Sequence, residues 1–148
     1  MLKAKNVQCI FCFVILFLFV TQAQAAEWIS YGSSSSGDWD FDKTSIKKVN
    51  NNIVQVWVRN IYNKKKKIEL YSVLKEGNVP NNPGKLSYDV RLFEFDCVNN
   101  LVRMNHVTIY DNKDEFVASP KMSGDWGDIV PDTMGETLKN IVCKGSKK

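Results

Sequence analysis

Apolar and polar positions alternate along most of the chain with a period of two, and a helical period emerges only near the end. Trp28-Ile29-Ser30-Tyr31 begins the alternation. In residues 38–41, Trp39 and Phe41 point one way and Asp38 and Asp40 the other, the pattern of a half-buried strand. Between the two lies residues 32–37, four serines bracketed by glycines, which reads as a flexible turn or loop. Residues 42–46 read as a turn that lodges Ile46 against the core. Beyond Asn50-Asn51-Asn52 comes the strongest strand, residues 53–62. Val54, Val56 and Val58 share one face and Trp57 and Ile61 the other, which predicts a central strand covered on part of each side. Residues 87–97 and 101–110 form a hairpin about the tight turn Val98-Asn99-Asn100. Phe93, Phe95 and Cys97 lie on one side of its first strand, and Leu92, Glu94 and Asp96 on the other. Residues 111–114 turn once more into a short strand over 115–119.

Two segments break the alternation. Lys64 to Lys67 interrupts it, and residues 68–74 resume apolar spacing with no clear period, so helix and strand both stay open there. Residues 77–84, rich in Pro, Gly and Asn, form a long loop. At the end, Leu138, Ile141 and Val142 recur at helical spacing. Thr133 with Glu136 fits a capping box, in which each side chain satisfies a backbone donor of the first turn. Met134, Leu138 and Ile141 make the stripe such a helix would lay on a sheet. Many antiparallel strands followed by one helix is an α+β order, not alternating α/β.

The first residues differ in kind. Lys3 and Lys5, an apolar run over 10–20 and then Ala23-Gln24-Ala25 predict a secretory signal peptide over residues 1–25. The run is shorter than the roughly 20 residues a spanning helix needs, so no stable membrane insertion is expected after cleavage. Residues 26–148 then form a single domain with a frayed basic tail over 144–148. Half of the formal charge of +4 sits on the two leader lysines. The near-neutral remainder excludes a strongly cationic nucleic-acid binder. A chain that is 44% hydrophobic and 11% aromatic is not a disordered one.

Export also organises the cysteines. Cys9 and Cys12 fall inside the leader, where neither has the position of a lipidated cysteine, and Cys97 and Cys143 remain. The economical reading in an oxidising compartment is one disulfide. The competing redox or metal role would have to do without a CxxC spacing and with a single histidine.

The tryptophans and strand ends carry a resemblance. Trp28, the run Asp38-Trp39-Asp40-Phe41-Asp42-Lys43-Thr44-Ser45-Ile46 and Val56-Trp57-Val58 come in order. Phe93-Glu94-Phe95-Asp96-Cys97, Arg103, residues 126–131 and Gly135-Glu136-Thr137-Leu138 leading to Val142-Cys143 follow. Together, over about residues 27–143, they resemble the surface-adhesin protein E family, the adhesin E-like domain of proteobacterial envelope proteins. The resemblance implies an antiparallel sheet of about six strands with a C-terminal helix packed on it and tied by a Cys97–Cys143 bridge. It also implies a protein-binding role toward host extracellular-matrix or serum proteins, and pairing as a homodimer.

Little in the chain competes with that role. His106, the sole histidine, has no nucleophile or carboxylate beside it in sequence, so no catalytic residue is assigned. Serines 33–36 lack a nucleophile elbow. Asp38, Asp40 and Asp42 lack the glycine and terminal glutamate of a calcium loop and read as a solvated strand face, so no metal or other cofactor is expected. Trp28, Trp39, Trp57 and Trp126 read as core or cap residues, and any left exposed becomes an interface candidate. Lys64, Lys65, Lys66 and Lys67 are the candidate partner-binding residues: a basic run that could meet an anionic lipid, a sulfated glycan or an acidic protein. The alternative is a solvated loop protecting an edge strand. The expectation is an exported, non-enzymatic binding domain, periplasmic or at the cell surface, working through protein–protein contact. Its rival is a periplasmic housekeeping or assembly factor with no host target.

Overall fold

The computed structural model describes residues 25–74 and 82–144. The leader up to residue 24, most of the expected loop at 77–84 and the last four residues of the expected tail lie outside them. Eight antiparallel strands form one sheet: β1 (Trp28–Ser34), β2 (Gly37–Asp42), β3 (Lys47–Lys48), β4 (Ile53–Tyr62), β5 (Leu86–Asp96), β6 (Leu101–Asp111), β7 (Phe116–Ala118) and β8 (Gly127–Asp128). Six of them run across the sheet in the order β1-β2-β4-β5-β6-β7. The two-residue β3 pairs with β4, and β8 pairs with β6. Among the described residues two α-helices pack on the sheet, α1 (Lys64–Leu74) and α2 (Met134–Val142).

The alternation places side chains as a period of two requires. Register pairs Val54 with Phe95, Val56 with Phe93 and Phe41 with Val58, which puts these side chains on one face. Both helices lie on that face. Leu138 and Val142 of α2 join Ile129 over Phe41, Val54, Val56, Val58 and Phe95, the main core. Leu70, Tyr71 and Leu74 of α1 cover Tyr62, Leu86 and Ile109, a second, smaller core. On the other face of β4 the expected partial cover comes from neighbouring side chains and not from a helix: Ile53, Gln55, Trp57 and Arg59 are half-buried, and Ile61 is exposed.

Cys97 and Cys143 are disulfide-bonded, with Cα atoms 5.7 Å apart. The bridge joins the end of β5 to the C-cap of α2. The cap of α2 is close to the one expected. Thr133 Oγ1 accepts from Glu136 N, and Glu136 Oε2 accepts from Asp132 N, one residue before the capping-box position. The buried stripe is Leu138 and Val142, while Ile141 is exposed, because i and i+4 rather than i and i+3 align over the sheet here.

Three further expectations change. Residues 64–74 are one helix whose first turn is the lysine run, so Lys64 to Lys67 do not form a loop. Asn63 starts it, its Oδ1 accepting from Lys66 N. Ile46 is 37% exposed instead of lodged in the core. Asp42 causes this: its Oδ1 accepts from Thr44 N and Oγ1 and from Glu27 N, winding residues 43–45 into a 3₁₀ turn that turns Ile46 outward. Ser33 and Ser34 belong to β1, which leaves only Ser35 and Ser36 as the β1–β2 turn.

Candidate functional site

The face opposite the helices is the candidate site, because neither helix covers this broad part of the sheet. Strand pairing puts Trp57, Leu92 and His106 in one row across β4, β5 and β6. The next row holds Asp40, Arg59, Val90 and Thr108. On the other side of the Trp57 row come Gln55, Glu94 and Arg103. At the far end lie Ile61, Tyr88 and Tyr110. The centre is therefore aromatic and aliphatic, and charged groups flank it.

Those charges are held in place. Arg59 donates from Nε and Nη2 to Asp40 Oδ2, the shorter contact 2.6 Å, and its guanidinium lies 4.6 Å from the Trp28 ring. Arg103 does the same to Glu94 Oε2, also 2.6 Å at Nη2, with Trp126 at 4.4 Å. A carboxylate on one side and a π face on the other pre-order a side chain that would otherwise sample many rotamers. Asp40 and Glu94 are buried beneath their arginines. Asp40 and Asp42 thus leave the solvated face expected of them, and Asp38 alone stays exposed. A third such group, Arg91 with Asp89 and Trp39, sits on the helix-covered face between the two cores. Burial works against the Arg91 charge, but the bidentate Asp89 outweighs it and raises the arginine pKa.

Aromatic contacts finish the surface. Trp57 meets His106 edge to face at 6.0 Å, and Tyr88 stacks on Tyr110 at 5.1 Å. Burial and a hydrogen bond donated to Asp114 push the Tyr88 hydroxyl up to about 12, so it stays a donor at neutral pH. His106 is exposed and its Nε2 pairs with Thr108 Oγ1 at 2.8 Å. The Thr108 hydroxyl is buried in the sheet, and among the described residues no carboxylate hydrogen-bonds the ring to orient it as a base. Among the described residues no group of three or more His, Cys, Asp or Glu could hold a metal ion.

The sequence-predicted residues are scattered over this frame. Trp28, Trp57 and Trp126 are half-buried and belong to the open face, whereas Trp39 packs against the main core. Lys64 to Lys67 stand on α1, on the opposite side of the sheet. Arg59 and Arg103 went unassigned from sequence. The Glu94–Arg103 pair was readable from the hairpin register about the turn after Cys97, but the Asp40–Arg59 pair depends on a strand order that local spacing does not reveal.

The architecture has relatives. The family model described as Surface-adhesin protein E matches residues 28–144. This chain belongs to the surface-adhesin protein E family. Solved structures of Haemophilus influenzae protein E share the fold. The selenomethionine form is 18% identical with a TM-score of 0.58, covering 86% of this chain and 93% of that one. Crystal form II is 17% identical with a TM-score of 0.57 and coverages of 86% and 94%. At such identities the likeness to individual structures speaks for the fold alone. No curated protein matches at a significant level. The surface-adhesin family makes this an adhesin-like exported or surface protein. No helix among the described residues is long and apolar enough to cross a membrane.

Proposed function

We propose that the chain is an exported, non-enzymatic binding domain that docks a protein partner on the open face of its sheet, and that the partner is a host extracellular-matrix or serum protein. The single observation that carries this reading is the aromatic and aliphatic row of half-buried Trp57 and Leu92 and exposed His106, on a face that neither helix covers, flanked by ion-paired Arg59 and Arg103. Apolar residues ringed by ordered polar groups are the anatomy of a protein interface, and Trp, Tyr and Arg are the residue types that dominate binding energy there. The family supports an adhesive role, and the leader read over residues 1–25 supports export. The same face could equally pair two copies into a homodimer. Lys64 to Lys67 contribute to this reading only through long-range steering, since they lie on the far side of the sheet.

Immobilised matrix and serum proteins, titrated with the purified chain, test the proposal. Trp57→Ser with Leu92→Ser should weaken a captured partner at least tenfold while leaving the melting temperature within a few degrees of wild type. Unchanged affinity in that double variant would remove the open face from the reading. Confinement of the protein to the periplasm on fractionation would replace the host target with an envelope one.

A further inference from the structure

We propose that the outward face of α1 docks on anionic phospholipid at a membrane surface. The helix spends Leu70, Tyr71 and Leu74 on the second core. The exposed residues of the helix are Lys64, Lys65, Ile68, Glu69, Ser72 and Val73. At a helical turn of 3.6 residues Lys65, Glu69 and Ser72 lie opposite the three inward residues, with Ile68 and Val73 on the two flanks. Ile68 is 54% and Val73 72% exposed, although each is a branched aliphatic that water solvates poorly. Among the described residues Lys66 pairs with Glu69, whereas Lys64 and Lys65 make no ion pair. The exposed side of α1 therefore carries Lys64 and Lys65 without an ion pair among the described residues, the Lys66-paired Glu69, and two uncovered aliphatic side chains on its flanks.

A lipid surface answers both the lysines and the aliphatics. Ammonium groups meet the phosphates while Ile68 and Val73 enter between headgroups, the arrangement of an interfacial helix. A sulfated glycan would engage the lysines and leave both aliphatics in water. The attachment is weak and reversible, since one short helix supplies it. It does not rest on the proposed docking of a protein partner. Because α1 and the open face lie on opposite sides of the sheet, a domain held through α1 would turn its open face away from the membrane.

Vesicle co-sedimentation of the protein purified from a secreting host tests this, with phosphatidylcholine alone and with phosphatidylglycerol added. Binding should require phosphatidylglycerol and fall as salt is raised. Lys64→Glu with Lys65→Glu should cut the bound fraction at least tenfold, at about fivefold per lysine. Unfolding would not explain that loss, because acidic residues suit a helix N-terminus better than lysines do. Ile68→Ser with Val73→Ser should also weaken binding, with charge unchanged. Trp57→Ser should leave it intact, which separates this surface from the partner face. Three results would overturn the proposal: no sedimentation, equal sedimentation with both vesicles, or Ile68→Ser/Val73→Ser binding like wild type while heparin retention follows the lysines alone.

Discussion

Three arginines on neighbouring strands, Arg59, Arg91 and Arg103, are each held between a carboxylate and a tryptophan. Their environments differ. Asp89 is almost fully enclosed beside Arg91, whereas the pairs on the open face keep more solvent at the arginine. Asp89→Ala would strand a buried guanidinium and remove the acceptor of the Tyr62 hydroxyl, so it should cost about 3 kcal/mol or more in urea unfolding. Two turn carboxylates act differently. Asp96 accepts from Asn99 N and Nδ2 and from Val98 N, and Asp111 accepts from Glu115 N and Lys113 N. These bonds hold both carboxyls below the usual carboxylate range. A lowered folded pKa contributes stability that is fully present above the unfolded value of about 4 and is lost as pH falls through the folded one. Melting temperature should therefore drop as pH is lowered beneath about 4. Asp111→Asn should melt below wild type at neutral pH, with the gap narrowing as acid is added.

At the level of elements, the disulfide does most to set the stability of α2. That helix has nine residues, too few to persist alone, and two buried side chains, Leu138 and Val142, hold it to the sheet. Closing a 46-residue separation restricts the unfolded chain by about 4 kcal/mol in the loop-entropy account. Cys97→Ala with Cys143→Ala should lower stability by an amount of that order, measured by denaturant unfolding under non-reducing conditions. In hydrogen exchange, α2 should lose protection before β4 and β5. The first helix shows the opposite economy. Four lysines occupy its positive end with no acidic residue in the first turn, a placement that works against the helix dipole. Its period was unreadable for a related reason: apolar residues occur on two sides, Leu70, Tyr71 and Leu74 inward and Ile68 and Val73 outward, so no single stripe marks a face.

For the molecule as a whole, the sheet is two-sided in composition and one-sided in cover. Val56, fully enclosed beneath α2, and Leu92, on the open face, sit on adjacent strands. Val56→Ala should destabilise by about 2 kcal/mol and Leu92→Ala by less than half as much per methylene removed, compared by thermal unfolding. Equal costs would mean that the open face is covered after all. The six longer strands, the turn at 98–100, the second helix and the pairing of Cys97 with Cys143 were legible in the chain itself, since alternation, turn chemistry and capping act over a few residues. The two-residue β3 and β8, the helix at the lysine run, the buried Asp40 and Asp42 and the outward Ile46 were not. Tertiary structure alone decided which face of the sheet both helices would cover and which arginine each carboxylate would meet. Local periodicity marks two faces of a strand as different, but only the long-range order of strands and the docking of helices choose the one left without a helix.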